Sequence, residues 1–265
     1  MKNSSSSSAV APAVSSDPSS LPGSGGLAHR YRWDACAIGA VALICLVRAA
    51  FRSLPQRKNT TDLVIALDSA WRVLSGQRPH VDFYSALGPL SSLSTALGLA
   101  LAHHAADGIN YGTALLGFVV GIWTFLIARS RLSPVWAALA AVFCTLLMTT
   151  PVGLGDPYSM LSEAMFYDRY GFALLVPILI ESYLRPREGS SDFVGGLSTG
   201  VSCGLLLFLK ASYFFVAAPL IVLLLLVRRQ SRKRIAGILL GFGVVVLAVL
   251  GYLGFHVGAV ISDLR

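Results

Sequence analysis

Between Phe193 and Val227 the chain carries one charged residue, Lys210. A run of about 18 or more apolar residues is long enough to cross a ~30 Å hydrocarbon core as a helix. Comparable runs occupy 35–51, 111–128, 134–152, 169–184, 193–209, 212–227 and 235–257. They are rich in Leu and Ala and do not alternate, which excludes the strands of a membrane barrel. Helices are then the only way to satisfy backbone groups in lipid. Composition agrees. Hydrophobic residues make up 55% of the chain and charged ones 13%, against about a quarter charged in a soluble domain. The sequence therefore predicts an all-α protein: a polytopic transmembrane helix bundle of about seven spans, integral to a membrane.

The formal net charge is +8. In a soluble protein such a charge would point to nucleic acid. Here the basic residues sit in short connections, as in Arg228-Arg229-Gln230-Ser231-Arg232-Lys233-Arg234, and no basic stripe with interleaved aromatics occurs. That placement reads as topology control and contact with anionic membrane lipids; nucleic acid is not an expected partner. Residues 1–30 are rich in Ser, Pro, Ala and Gly and cannot bury enough surface to offset their ordering entropy, so a disordered tail is expected. No apolar core follows Lys2 until about residue 34, unlike a secretory signal. Cys36, Cys45, Cys144 and Cys203 all lie in apolar runs without metal-ligand spacing and read as small hydrophobes.

Arg129/Arg131, Arg185/Arg187 and the 228–234 cluster are each separated by two apolar runs, so all three fit the cytoplasmic side. The tail, with Arg30 and Arg32, fits the same side. Residues 86–104 decide the count. If they cross, there are eight spans and the N-terminus lies outside. If they stay at the interface, there are seven, the N-terminus is cytoplasmic, and 52–110 forms a long external loop. Arg48, Arg52, Arg57 and Lys58 favour eight; the Gly88-Pro89 break and the interspersed serines favour seven. Arg48 itself, near the end of the first run, reads as a snorkelling residue.

The loop holds the most informative residues. Leu63, Leu67, Ala70, Trp71 and Leu74 recur on one face of a helix predicted over 62–75. Gly76 supplies its stop and Pro79 follows. Asp68 and Arg72 are placed to pair across a turn, and Asp62 or Thr61 stands where an N-cap belongs. His103-His104 face different directions on a helix and read as interfacial rather than metal-binding. Lys210, an ionisable residue among apolar runs, is either functional or a snorkelling lysine at a tight turn.

Asp62-Leu63, Ala70-Trp71-Arg72-Val73-Leu74-Ser75-Gly76-Gln77-Arg78-Pro79-His80-Val81-Asp82-Phe83 and Gly88-Pro89-Leu90 together resemble the first external loop of the GT-C superfamily. These are membrane glycosyltransferases that use polyprenyl-phosphate-linked sugars, including protein O-mannosyltransferase-like and aminoarabinose transferase-like branches. His80 stands where the family has an aromatic, and Leu63 replaces the second acid of its usual pair. Tyr167-Asp168-Arg169-Tyr170-Gly171 and Leu207-Phe208-Leu209-Lys210-Ala211-Ser212 continue the likeness. The resemblance implies an enzyme in a bacterial inner membrane, with 31–265 as the family's N-terminal module. It implies Asp62 as the general base for an acceptor hydroxyl. Arg78, Arg169 and Lys210 would meet the donor phosphate, with Asp82 also binding substrate. Asp156 is the second carboxylate in substrate binding, with Glu163 and Asp168 sharing its loop either as alternatives or as solvated residues. A divalent metal cofactor is left open, as is a partner chain that completes the bundle. So are a truncated or inactive relative, a transporter or channel subunit, and a non-catalytic scaffold. Against transport stand the few mid-span charges and the lack of paired discontinuous helices.

Overall fold

The computed structural model describes residues 24–50, 60–152, 162–187, 191–227 and 230–263. These form helices α1 (Ser24–Ala50), α2 (Thr60–Leu74), α3 (Pro89–Leu101), α4 (Gly108–Arg129), α5 (Pro134–Thr149), α6 (Phe166–Tyr183), α7 (Asp192–Leu209), α8 (Ala211–Val227), α9 (Arg232–Tyr252) and α10 (Val257–Asp263). No strand occurs among the described residues; Pro79 and Phe83 form an isolated bridge. The all-α expectation holds. α1 begins at Ser24, inside the expected disordered tail, and takes in Gly25 and Gly26. Residues 1–23 lie outside the described residues.

Four helices, α1, α4, α7 and α9, are long and apolar enough to cross a membrane by length and composition. α5 and α8 are apolar but shorter, with 16 and 17 residues. α6 has 18 residues and carries Asp168, Arg169 and Glu181. The four long apolar helices mark the chain as a membrane protein.

Hydrogen bonds fix which helix ends lie together. Arg129 at the end of α4 bonds Asp34 in the first half of α1, Nε–Oδ1 2.7 Å. Arg131 ahead of α5 pairs with Glu181 near the end of α6. Arg234 in α9 approaches the same carboxylate, and Ser231 donates to Asp192 at the start of α7, 2.6 Å. This is the cationic end of the bundle. At the opposite end Arg48 of α1 meets Glu163, and Lys210, between α7 and α8, meets Asp168 of α6.

α7 and α9 pack backbone on backbone. A Cβ built at Gly196, Gly200, Gly237 or Gly241 would fall 2.1–2.3 Å from a carbonyl oxygen of the facing helix. Glycine alone fits at this spacing, the small-xxx-small geometry that brings membrane helices close without polar glue.

α3 does not pass from one end of the bundle to the other. Its cap, Gly88, donates its N–H to Leu209 O at the end of α7, 3.1 Å. Its Gly98 lies against Gly108 and Gly112 at the start of α4. Trp123 of α4 bonds Ser198 of α7, 2.9 Å, which aligns the two helices so that the end of α7 and the start of α4 share one end. Thirteen residues of α3 span about 20 Å, less than a hydrocarbon core.

α2 rests on α3 through Leu63 and Ala70, which pack with Ala96, Leu99 and Ile109. Gly76 takes φ 86°, and the N–H groups of Gly76 and Gln77 return to Val73 O and Arg72 O. That is the Schellman stop the sequence predicts. The Asp68–Arg72 pair forms at 2.8 Å on the exposed face. Trp71 departs from the expected apolar face. It is 54% exposed and lies edge-on to His104, because Leu63, Leu67, Ala70 and Leu74 already fill the buried stripe.

Candidate functional site

A cavity of about 330 Å³ opens between α2, the segment before α3 and the start of α6. Asp62, Ser69, Tyr84, Ser92, Phe166 and Tyr167 line it. Asp62 sits in the first turn of α2, half-buried, and makes no hydrogen bond or ion pair among the described residues. Among the described residues only Asp107 shares this lack of a partner, and it lines no cavity described here. Asp34, Asp68, Asp82, Asp168 and Asp263 are paired with Arg129, Arg72, Arg78, Lys210 and His80. Glu163 and Glu181 meet arginines, and Asp192 accepts from Ser231. Asp62 is thus a carboxylate whose lone pairs are uncommitted among the described residues, at the wall of a cavity. The hydroxyls of Ser69 and Ser92 are likewise uncommitted among the described residues.

Beside the cavity lies a charged cluster. Asp168 Oδ1 accepts from Lys210 Nζ at 2.9 Å and from the Tyr213 hydroxyl at 3.0 Å. The ammonium also lies 4.8 Å from the centre of the Tyr167 ring, at cation–π distance. Tyr167 belongs to both features, lining the cavity and flanking the ammonium. Backbone geometry sets this arrangement. α7 ends at Lys210, whose extended backbone turns the chain into α8 from Ala211. The Lys210 side chain is 34% exposed. It is one half of an ion pair with Asp168.

Three other residues expected here fall elsewhere. Arg78 and Asp82 bind one another, Nε–Oδ2 3.0 Å, and Asp82 also accepts from the Arg78 N–H at 2.7 Å. Those bonds hold the Asp82 carboxyl below its usual range. The pair lies against Gly254 and does not line the cavity. Arg169 is buried, donating to Thr150 O and reaching Glu163 Oε2 at 3.3 Å. Arg48 bonds the other oxygen of Glu163 at 2.6 Å. Arg48 therefore does not snorkel and Glu163 is not solvated: at 4% and 1% exposure they form, with Arg169, a buried clamp between α1 and the start of α6. Burial of such a charge is tolerable only with its partner in place. Asp156 lies outside the described residues. His103 and His104 follow α3 with left-handed φ and are exposed. Among the described residues no group of three His, Cys, Asp or Glu side chains could hold a metal ion.

Sequence reasoning named Asp168 only as an alternative and missed Tyr167 and Tyr213. The signal was present: a lone lysine among apolar runs requires a counter-charge, and Asp168 opens the one apolar run flanked by tyrosines. Compared with family models, curated proteins and solved structures, the chain matches none of them.

Proposed function

We propose that the protein is an integral membrane glycosyltransferase of the GT-C kind, moving a sugar from a polyprenyl-phosphate donor to an acceptor hydroxyl. The observation that carries this reading is the uncommitted Asp62 carboxylate at a cavity lined by free serine hydroxyls and aromatic rings. Hydroxyls and ring faces are what a sugar needs from a site, and a carboxylate within hydrogen-bond reach is what an acceptor O–H needs from a base. In the reaction the acceptor proton passes to Asp62 as the acceptor oxygen attacks the anomeric carbon. The bond from that carbon to the phosphate oxygen breaks, and the lipid phosphate leaves with the electron pair. The Lys210 ammonium, held beside Tyr167, offsets the charge that builds on the leaving phosphate. The resemblance of the loop sequence to that superfamily supports the same assignment.

In this reading α1 and α4–α9 make seven crossings. α2 and α3 lie at the external face, and the cationic end is cytoplasmic together with the N-terminus. The return of α3 to its own end of the bundle supports the seven-span count. Two measurements test the proposal. Proteoliposomes of the purified protein, supplied with radiolabelled polyprenyl-phosphate sugars, should release sugar from the lipid and join it to an acceptor; no transfer from any neutral or amino-sugar donor would sink the reading. In intact cells, with native cysteines replaced, Ser75→Cys should react with an impermeant maleimide and Lys233→Cys should not. The reverse pattern would invert the topology and move Asp62 away from an external donor.

A further inference from the structure

At the cationic end a second cleft, about 310 Å³, opens between the end of α6, the start of α7 and the start of α9. Its polar lining is Glu181, Ser182, Arg185, Asp192, Gln230 and Arg234. The two acids are already answered. Glu181 is met by Arg131 and Arg234, and Asp192 accepts from the Ser231 hydroxyl. Among the described residues the bases are in surplus. Arg185 makes no hydrogen bond or ion pair among the described residues. Arg234 is 7% exposed, with Nη2 given to Glu181 O at 2.7 Å. Arg131, whose side chain is 4% exposed and shares the Glu181 carboxylate, keeps a buried Nε with no partner. Two buried guanidiniums that share one carboxylate, with the exposed Arg185 beside them, leave a positive cleft that favours a bound anion.

The aromatic residues say where that anion comes from. Trp33 beside the Asp34–Arg129 pair, Trp136 in the first turn of α5 and Tyr183 at the end of α6 are 40%, 64% and 51% exposed. Trp and Tyr gather where headgroups meet the hydrocarbon. Three of them at this end set the cleft, whose lining includes Ser182 and Leu184 on either side of Tyr183, at headgroup depth. We infer that the cleft binds the phosphate of an anionic phospholipid, with Arg185, Arg234 and the Gln230 amide as donors. Arginine matches the geometry, since its planar fork meets two phosphate oxygens at once. The site is separate from the transfer reaction and stands whether or not Asp62 is a base.

The test is a titration of the full-length protein in dodecylmaltoside micelles with phosphatidylglycerol or phosphatidylcholine, read as the thermal unfolding midpoint. Phosphatidylglycerol should raise the midpoint saturably and phosphatidylcholine should not. Arg185→Gln, an exposed substitution with no role in packing, should weaken the apparent affinity about tenfold, the loss of a charged hydrogen-bond pair. Arg232→Gln removes the same charge from the exposed start of α9, outside the cleft, and should leave the affinity within about twofold, as expected for a charge that makes no direct contact. An equal loss in both variants would mean diffuse attraction and overturn the site. So would an identical response to the two lipids. A third arm adds inorganic phosphate. Saturation by millimolar phosphate with the same Arg185 dependence would assign the cleft to a soluble anion and overturn the lipid.

Discussion

Asp62→Asn should reduce sugar transfer by about 10²–10⁴-fold, the range general-base catalysis contributes, with little change in expression or unfolding midpoint. The structure makes this a clean experiment. Among the described residues Asp62 has no partner whose loss would propagate into the fold, so the isosteric amide removes basicity and negative charge. Asn is also as good a helix-start residue as Asp, so α2 is expected to keep its first turn. Asp107→Asn is the matched control, a second uncommitted carboxylate away from the cavity lining. It should transfer sugar at the parental rate. Donor affinity should be nearly unaffected in Asp62→Asn, because the base acts on the acceptor. Transfer by Asp62→Asn within threefold of the parent, on the order of a single weak hydrogen bond, would remove Asp62 as the base and leave the cavity a binding feature only.

How far this site could be read from sequence depends on how local its determinants are. The helix over 62–75, its stop at Gly76 and the Asp68–Arg72 pair are set by residues within a few positions of one another, and all three stand in the structure. The break at Lys210 was equally visible, since one charged residue divides two apolar runs. What was not visible depended on partners far along the chain. Arg48 reads as a snorkelling residue until Glu163, 115 residues later, is brought to within 2.6 Å. For Arg169 the resemblance implies the donor phosphate, and the structure adds an ion pair with the same glutamate, only six residues away but shared with the distant Arg48. Arg78 and Asp82 share a motif with Asp62, but their four-residue spacing lets them satisfy each other instead.

The status of Asp62 illustrates the same limit from the other side. In the sequence it is one acid among several, with a good case for being a cap. Its distinction appears only after the other described carboxylates, Asp107 apart, have been assigned their arginines, lysine, histidine and serine. Likewise Ser69 and Ser92 come from different helices, and no periodicity within either would bring them to one wall. The course of α3 was ambiguous for the same reason. The contact that decides it, Gly88 on Leu209, joins the start of one helix to the end of another more than a hundred residues on.

Lys210 and Asp168 should respond to mutation with opposite signs. The donor's phosphate, in the proposed reaction, approaches an ammonium that a carboxylate already shares at 2.9 Å. Lys210→Gln removes the cation and leaves Asp168 as an unanswered negative charge at the place where the phosphate must sit. Donor affinity should fall by at least about tenfold, more than one lost charged hydrogen bond, because repulsion replaces attraction. Lys210→Arg keeps the charge with altered donor geometry and should recover part of the loss. Asp168→Asn releases the ammonium from its competitor, and donor affinity should hold or rise, while Tyr213 keeps an oxygen to donate to. A purely structural pair behaves differently. There, Lys210→Gln and Asp168→Asn would lower the unfolding midpoint alike and leave donor affinity untouched in whatever protein remained folded. Measuring both quantities on the same nanodisc samples separates the two. Parallel losses of stability with unchanged donor affinity would reduce the cluster to a tie between α6 and the α7–α8 break, and the cation facing the phosphate would have to be another residue.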